Sequence, residues 1–263
     1  MNNSKPRRLL AEERRREILE LLRRNGRITV DEIVEKFKIS AVTARSDLGA
    51  LSDSGDLVRS HGGGLRPLPK TPDFPLRVRE GIHHEEKAAI AEAAVRLIWP
   101  GQTVILCSGS TSMELARALR RSTIENVTVI TYALNVAVQL ADLSNLSLVM
   151  IGGILRQVSG ALVGPQAEQM MQSLHADHCF LSTVGLDVNT GLTTLDIMEA
   201  ELNRCMIANS REVSVVADSS KFGHRSLALI SNFQGIRRVI TDRGVETEAV
   251  ERLKRRGVEV LVA

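Results

Sequence analysis

Apolar residues follow two different spacings along the chain. In the first quarter they recur at helical intervals, as in Ile18, Leu19 and Leu22, with charged positions between them. Beyond residue 84, short continuous runs of Val, Ile and Leu alternate with amphipathic stretches. Such runs are typical of parallel strands that helices cover on both faces. The pattern predicts an α/β protein, with a small N-terminal helical domain and a C-terminal, mostly parallel α/β domain.

Start and stop signals predict helices near the N-terminus. The first helix is predicted from Glu12 to Arg24, because Gly26 stands where helices commonly end. Thr29 and Glu32 have the spacing of a capping box, which predicts that a second helix begins there. Ser40 is the predicted N-cap of a third helix.

The third helix and the segment after it complete a recognisable set of elements. The helix is predicted to run through Val42, Leu48 and Leu51, and residues 57–65 alternate around three glycines in the pattern of a hairpin. Three short helices and a hairpin form a winged helix-turn-helix, whose third helix enters the major groove of DNA. A small helical interaction domain with a solvated charged face is the alternative.

Charge supports the DNA interpretation. Residues 1–66 carry 14 Lys and Arg against 10 Asp and Glu, whereas the remaining chain carries 20 against 21. A basic excess confined to one domain favours a polyanionic partner for that domain. With one Trp, one Tyr and five Phe, the chain offers few platforms for stacking unpaired bases. Double-stranded DNA is therefore the expected nucleic-acid partner.

Prolines divide the chain. Four of the seven prolines lie within residues 66–83, where restricted φ angles and missing backbone donors favour a linker. We therefore expect a DNA-binding domain over 1–65, a proline-rich linker over 66–83 and an α/β domain over 84–263.

Strands and helices are expected to alternate in this last segment. Predicted strands cover 103–107, 127–131, 146–151, 179–184, 213–217, 238–241 and 258–262. Predicted helices cover 85–97, 112–119, 133–140, 166–174, 196–209 and 246–256.

Three loops that follow predicted strands could bind a ligand, because open α/β sheets bind ligands beyond the carboxyl ends of their strands. Residues 108–112 (SGSTS) lie between a strand and a helix and combine small residues with hydroxyl groups, which suits a phosphate group. Gly152 and Gly153 permit close backbone approach, and Asp218 with Lys221 could bracket a sugar phosphate. An ordinary capping turn, a tight turn and a surface ion pair are the respective alternatives.

The sequence predicts no metal ion or cofactor and no membrane association. Cys107, Cys179 and Cys205 lack the spacing of metal ligands, and they are interpreted as reduced thiols of a cytoplasmic protein. The first 16 residues are charged where an export signal needs an apolar stretch.

The order and spacing of several motifs resemble those of the DeoR family of bacterial transcription regulators. The resemblance spans the whole chain. In the N-terminal part it rests on residues 14–65, especially 39–48 (ISAVTARSDL) and 58–64 (VRSHGGG). In the C-terminal part it rests on 107–111 (CSGST), 150–153 (MIGG), 162–165 (LVGP), 180–187 (FLSTVGLD), 191–194 (GLTT) and 217–222 (ADSSKF).

The resemblance implies a sensor domain that is related in fold to ribose-5-phosphate isomerase and binds a phosphorylated sugar. The serine- and threonine-rich loop would hold the phosphate, and Asp218 and Lys221 would contact the sugar. Residues 199–204 (EAELNR) and the Asp218 motif resemble repressors of amino-sugar catabolism. The predicted effector-binding residues are Ser108, Gly109, Ser110, Thr111, Ser112, Thr131, Tyr132, Gly152, Gly153, Asp187, Asp218 and Lys221.

Three positions depart from the family pattern. The family usually has Asp where Cys107 stands, Asn where Tyr132 stands and a second arginine where Ser46 stands. The first two flank the predicted ligand loops, so the effector could be placed differently or be another compound. The third removes a cation from the recognition helix, which should reduce phosphate contact and could alter base choice.

We therefore predict a homodimeric or homotetrameric repressor that a phosphorylated sugar releases from operator DNA. The predicted DNA-binding residues are Lys38, Ser40, Thr43, Arg45, Ser46, Arg59 and His61, with further phosphate contacts from Arg14, Arg15, Arg16, Arg23 and Arg24. The alternative is an active sugar-phosphate isomerase fused to a DNA-binding domain, for which Asp187, Glu199 and Asp218 supply possible general bases. An activator cannot be separated from a repressor at this level.

Overall fold

The chain forms two units, residues 1–70 and 71–263. A computed structural model describes residues 11–25, 27–53, 57–60, 62–65 and 75–263. The side chains of residues 23–25, 27, 53, 58–60, 64 and 65 lie outside that description, as does the whole of His61.

The first unit has the predicted winged helix-turn-helix architecture. Its elements are α1 (Ala11–Asn25), β1 (Arg27–Thr29), α2 (Val30–Phe37), α3 (Ala41–Asp53), β2 (Val58–Ser60) and β3 (Gly63–Leu65). The predicted capping box is confirmed, since the Thr29 hydroxyl accepts from the Glu32 amide and the Glu32 carboxylate accepts from the Thr29 amide. The hairpin β2–β3 is also confirmed, and β1 pairs with β3 as a third strand that the sequence pattern did not reveal.

The core of the first unit differs from the prediction at one position. Ala44, Leu48 and Leu51 of α3 are buried, whereas Val42 is 74% exposed. Successive residues of an α-helix are rotated by about 100°, so positions 44, 48 and 51 share one face and position 42 lies on the opposite face. Val42 therefore does not belong to the core stripe of α3.

A buried carboxylate holds two of these helices together. Asp47 of α3 accepts from Arg14 Nε at 2.6 Å and from Arg15 Nε at 3.0 Å, and only 2% of its side chain is exposed. Arg14 and Arg15, which the sequence suggested as phosphate contacts, thus bind α1 to α3 in this structure. A buried carboxylate requires such partners because its desolvation is costly.

The second unit is built on a seven-stranded parallel sheet. Its helices are α4 (Leu76–Gly81), α5 (His84–Val95), α6 (Ser110–Arg121), α7 (Leu134–Leu140), α8 (Pro165–Gln172), α9 (Ile197–Ala208) and α10 (Thr247–Arg255). Its strands are β4 (Thr103–Leu106), β5 (Val127–Thr131), β6 (Leu146–Met150), β7 (Ile154–Arg156), β8 (Ala161–Val163), β9 (Ala176–Ser182), β10 (Gly185–Asp187), β11 (Gly191–Thr194), β12 (Ser210–Val216), β13 (Ala228–Ser231), β14 (Arg238–Thr241) and β15 (Glu259–Val262). The strand order in the large sheet is β15-β14-β12-β9-β4-β5-β6.

Alternate residues of the central strands supply two separate cores. Ile105 and Cys107 belong to the cluster that also contains residues of α8, α9 and α10, whereas Val104 and Leu106 belong to the cluster beneath α5, α6 and α7. Successive side chains of a strand point to opposite faces of a sheet, so a sheet covered on both sides needs apolar residues at every position. The prediction of a sheet covered on both faces is confirmed.

The sequence pattern did not predict several short elements of the second unit. The hairpin β7–β8 and the small sheet β10-β11-β13 consist of strands of three or four residues, which are too short to show a period. The helix α4 lies within the segment that we predicted to be a linker. These elements surround the carboxyl ends of the large strands.

A buried histidine links the stability of this unit to pH. His178 is 4% exposed, stacks on Phe180 with the ring centroids 4.1 Å apart, and its Nε2 lies 2.8 Å from Ser214 Oγ. Burial, with a smaller contribution from Arg238, lowers its pKa to about 4, although Glu212 opposes the shift. The folded state therefore favours the neutral imidazole.

We expect acid to destabilise the second unit through His178. Below a pH of about 6.5 the imidazole of His178 binds a proton in the unfolded chain, whereas in the folded state it stays neutral until the pH approaches 4. The free energy of unfolding therefore falls between these two pH values. Between pH 7 and pH 5 the free energy of unfolding of the wild type should fall by about 2 kcal/mol more than that of His178→Gln. Urea titrations at both pH values measure this difference, and parallel losses in the two proteins would contradict it.

Candidate functional site

The strand order reverses between β4 and β9, and this reversal creates the candidate site. From β4 the chain proceeds outward through β5 and β6, and from β9 it proceeds to the other side through β12, β14 and β15. The connections on either side diverge, which leaves a crevice beyond the carboxyl ends of β4 and β9. The loop after β4 contains Ser108 and Gly109, and the loop after β9 contains Thr183.

The helix α6 begins in this crevice. Its N-cap is Gly109, which has a φ of 129° and no side chain with which to cap the first amides. A Cβ at Gly109 would lie 3.2 Å from the side chain of Ser182, so both its conformation and its neighbour require glycine. Uncapped amides at the start of a helix form a site for an anion, because they donate hydrogen bonds along the helix dipole.

A cavity of about 200 Å³ occupies the crevice. It is lined by hydroxyl groups, by three cations and by one carboxylate. The lining residues are Arg79, Ile82, Lys87, Ser108, Gly109, Ser110, Thr111, Tyr132, Ser182, Thr183, Val184, Thr194, Leu195, Glu199, Asn203 and Lys221.

The cations come from three separate elements. Arg79 belongs to α4, Lys87 to the first turns of α5, and Lys221 to the turn after β12. Lys87 is only 2% exposed, and burial lowers its pKa while the Asp218 carboxylate opposes that change. Cations collected around one cavity, at the start of a helix, favour an anionic ligand.

Glu199 lies in the first turn of α9 and is the one carboxylate among the described lining residues. Its Oε1 accepts from Ser108 Oγ at 3.0 Å and its Oε2 accepts from Thr194 Oγ1 at 3.2 Å. Arg156 Nη1 lies 3.8 Å from the same Oε2. The carboxylate is thus fixed by its neighbours, and it offers acceptors to a hydroxyl or amine group of a ligand.

Tyr132 and Cys107, which stand at two positions that depart from the pattern implied by the family resemblance, are both buried. Tyr132 lines the cavity and donates its hydroxyl to Asn203 Oδ1 at 3.1 Å; burial and the nearby Cys107 and Glu199 raise its pKa, so the phenol keeps its proton. Cys107 lies outside the lining, with its Sγ 4.0 Å from Cys179 Sγ, and belongs to the core. A thiol and a phenol thus stand where the resemblance implies Asp and Asn.

Six of the twelve predicted effector residues lie in the lining of this cavity. They are Ser108, Gly109, Ser110, Thr111, Tyr132 and Lys221.

The other six lie elsewhere. Ser112 is buried, with its Oγ 2.7 Å from Ser182 Oγ, and Thr131 donates to the carbonyl oxygen of Leu106 at 2.7 Å. Gly152 and Gly153 follow β6, and a Cβ at Gly153 would lie 2.7 Å from the carbonyl oxygen of Val163. Ser112, Thr131 and Gly153 thus serve packing, whereas Gly152 is exposed.

The two predicted aspartates lie outside the lining because they hold turns together. Asp187 accepts from the amides of Asn189 and Thr190 and from Arg225, at 3.0, 2.7 and 3.0 Å. Asp218 is 1% exposed and accepts from the Ser220 amide at 3.1 Å, while its Oδ2 lies 4.0 Å from Lys221 Nζ. Asp218 therefore lies beside Lys221 and outside the lining of the cavity.

Sequence reasoning missed Arg79, Lys87 and Asn203 as lining residues. Arg79 lay in the predicted linker, and Lys87 and Asn203 lay within helices whose pattern indicated only amphipathicity. The one available signal was the polar Lys87 on the buried face of α5, beside Ile90 and Ala91.

The recognition helix of the first unit presents its predicted residues to solvent. The Ser40 Oγ accepts from the Thr43 amide at 3.1 Å and lies 2.9 Å from Thr43 Oγ1, so these two hydroxyls cap α3. Arg45 and Ser46 are exposed on the next turn, and Lys38 is exposed between α2 and α3. The predicted side chains of Arg59 and His61 lie outside the described residues.

The described residues contain neither a membrane-spanning helix nor a cluster of metal ligands. Within the described residues, no helix combines the length and apolar content needed to cross a bilayer. Nor do three or more His, Cys, Asp or Glu side chains of these residues cluster in a way that could hold a metal ion. A second polar cavity, of about 260 Å³, lies at the opposite ends of the strands and is lined partly by Asp177, Glu212 and Arg238.

Comparison with known proteins identifies the class. The family profile described as the DeoR C-terminal sensor domain matches residues 82–243, and that of the DeoR-like helix-turn-helix domain matches residues 14–67. A protein of Escherichia coli O157:H7 named as a candidate repressor of the aga operon is 38% identical over 252 residues, covering 95% of this chain and 93% of its own. The transcriptional regulator GolR of Listeria innocua is 35% identical, covering 95% and 98%.

Solved structures give a weaker similarity. Ribose 5-phosphate isomerase A from Methanocaldococcus jannaschii has a TM-score of 0.39 and 18% identity, covering 53% of this chain and 55% of its own. A similarity of this extent supports no inference by itself.

A helix-turn-helix unit followed by an α/β sensor domain defines a transcription regulator. The chain belongs to the DeoR family of transcriptional regulators. It is therefore a DNA-binding regulator and not an enzyme, and the expectation of an isomerase activity is wrong. Of the three acids suggested as general bases, only Glu199 lines the cavity.

Proposed function

We propose that this chain represses genes of carbohydrate catabolism and that a phosphorylated sugar releases it from operator DNA. The cavity at the start of α6 carries this proposal. Its uncapped amides, the hydroxyls of Ser110 and Thr111 and the cation Lys221 suit a phosphate monoester. The remaining polar lining suits the hydroxyl groups of a sugar.

The polar lining near Glu199 supports an amino sugar as the ligand. Glu199 and Asn203 both line the cavity and both belong to the segment that resembles repressors of amino-sugar catabolism. A fixed carboxylate and an amide can accept from and donate to an amine or acetamido group. The hydroxyl of Tyr132 donates to Asn203 Oδ1 at 3.1 Å, so its oxygen adds a further acceptor beside that amide.

A buried lysine supports communication between the cavity and the DNA-binding unit. Lys87 Nζ donates to the carbonyl oxygens of Arg79, at 2.6 Å, and of Ile82. These carbonyls belong to the end of α4 and the residue after it, and α4 is the first described helix after the connection to the first unit. A phosphate that attracts Arg79 and Lys87 would therefore act on the segment that carries the DNA-binding unit.

Release then follows from linkage. If effector and operator bind different arrangements of the protein, each weakens the binding of the other by the same factor. A complete switch requires the effector to favour the released arrangement by about 5 kcal/mol.

We further propose a homodimer or homotetramer, because exposed Leu134, Val138, Ile154 and Ile197 on the second unit suit association between subunits.

The function is tested by fluorescence anisotropy with labelled DNA from upstream of the protein's own gene. Titrations with protein are repeated in the presence of phosphorylated sugars, phosphorylated amino sugars and the corresponding free sugars. The proposal expects tight binding that one phosphate ester reverses and its free sugar does not. Tight binding that no phosphate ester reverses would contradict the proposed effector class.

Lys221→Ala tests the phosphate site. We expect the variant to bind the operator as the wild type does, because Lys221 lies in the sensor unit. The effector concentration for half release should rise at least about tenfold, since a charge-assisted hydrogen bond is lost. Lys254→Ala, which removes an exposed lysine paired with Glu251 on α10, serves as the matched control. Unchanged release of Lys221→Ala would exclude this role.

Arg45→Ala tests the DNA interface. We expect it to weaken operator binding by about 1–3 kcal/mol, because arginine on a recognition helix contacts bases or phosphates. Arg121→Ala is the matched control, since Arg121 is an exposed arginine of the sensor unit that pairs with Glu92. Anisotropy titrations give both affinities, and circular dichroism checks the fold. Wild-type affinity of Arg45→Ala would refute the assignment of α3 as the recognition helix.

A further inference from the structure

An apolar side chain lies on the exposed face of the recognition helix. Val42 is 74% exposed, and the structure surrounds it with polar positions of the predicted DNA interface. Arg45 and Ser46, which are also exposed, follow it by three and four residues and so share its face of α3. The sequence pattern predicted Val42 to be a core residue, but its side chain lies outside the core cluster of the first unit.

The stability of the first unit does not require valine at this position. The core contacts of α3 come from Ala44, Leu48 and Leu51 on the opposite face. Valine is a weaker helix former than alanine, because its branched side chain loses rotamer freedom in a helix. The valine in the first turn of α3 therefore adds nothing to the core, and its methyl groups are exposed on the face that carries Arg45 and Ser46.

The first turn of α3 is also held in a fixed orientation. Ser40 caps it through the Thr43 amide at 3.1 Å, and Asp47 on the following turn is tied to Arg14 and Arg15 of α1. The side chain of Val42 has one strongly preferred rotamer in a helix. Val42 thus presents its two methyl groups on a rigid surface.

We propose that Val42 contacts the 5-methyl group of a thymine in the operator and thereby sets a preference for thymine at one base pair. In helix-turn-helix proteins the N-terminal residues of the recognition helix contact the base edges in the major groove. Those edges carry hydrogen-bonding groups, and the methyl group of thymine is their apolar feature. The proposal rests on the proposed binding of operator DNA, and it assigns Val42 a role in specificity beside Arg45.

Deoxyuridine provides a direct test, because it differs from thymidine only by that methyl group. Duplexes that the full-length protein binds are selected from a random-sequence pool, and each thymine of the selected site is then replaced by deoxyuridine. Affinities are measured by anisotropy for the wild type and for Val42→Ala. Alanine is the better helix former at an exposed position, so this variant keeps its fold. Leu227→Ala, which removes a 74% exposed apolar side chain from the segment before β13, is the control.

We expect one replacement in each half-site to weaken wild-type binding about fourfold, the effect of losing one buried methyl-sized group. The same replacement should weaken the binding of Val42→Ala by a clearly smaller factor, because alanine keeps fewer apolar contacts, while Leu227→Ala should respond as the wild type does. The proposal is overturned if the wild type tolerates every replacement, or if wild type and Val42→Ala lose the same factor. Failure to select any sequence would overturn operator binding as well, whereas a selected sequence without the methyl effect would overturn only the role of Val42.

Discussion

The reversal of strand order between β4 and β9 is the constraint on which the sensor unit depends. Because the chain leaves these two strands in opposite directions, no connection covers their carboxyl ends, and α6 starts at that edge without a side chain to cap it. Around the same edge, Arg79, Lys87 and Lys221 line the cavity together with Glu199, and Asp218 lies 4.0 Å from Lys221 behind the lining. Cations beside the uncapped amides of a helix suit an anionic ligand, which is the basis of the proposed phosphate site.

Lys87 connects the cavity to the helix α4. Lys87 both lines the cavity and donates to carbonyl oxygens at the end of α4, so the proposed anion would change its environment. Arg117 of α6 pairs with Glu80 of α4 at 3.2 Å and with Glu114 of its own helix, which ties α6 to α4 as well. The proposed ligand would therefore act on charged groups that also hold α4.

Features with a strong local signal could be predicted from the sequence. The capping box at Thr29 and Glu32 and the strands of the large sheet depend on short-range spacing, and the structure bears them out. The loop at residues 108–112 could also be assigned to the edge of the sheet, because a loop between a parallel strand and the next helix must begin there.

Features that depend on tertiary packing could not be predicted in this way. Asp187 and Asp218 follow strands as ligand-binding acids do, but one carboxylate oxygen of each accepts from backbone amides of its own turn. Lys87 appeared as one polar residue in an amphipathic helix, because only the fold brings it to α4. Val42 fitted an apolar stripe by residue type, and the rotation of α3 against α1 placed it outside. In each case the residue type could be read from the sequence, but its surroundings depend on the fold.

Binding of an anion by the amides at the start of α6 can be measured directly. The measurement is the amide chemical shifts of the isotopically labelled full-length protein. Addition of the phosphorylated sugar that releases DNA should move the amide proton signals of Ser110, Thr111 and Ser112 downfield, as hydrogen bonds to phosphate form, and the free sugar should not. Shifts confined to the opposite cavity near Asp177 and Arg238, with those three amides unchanged, would contradict the account.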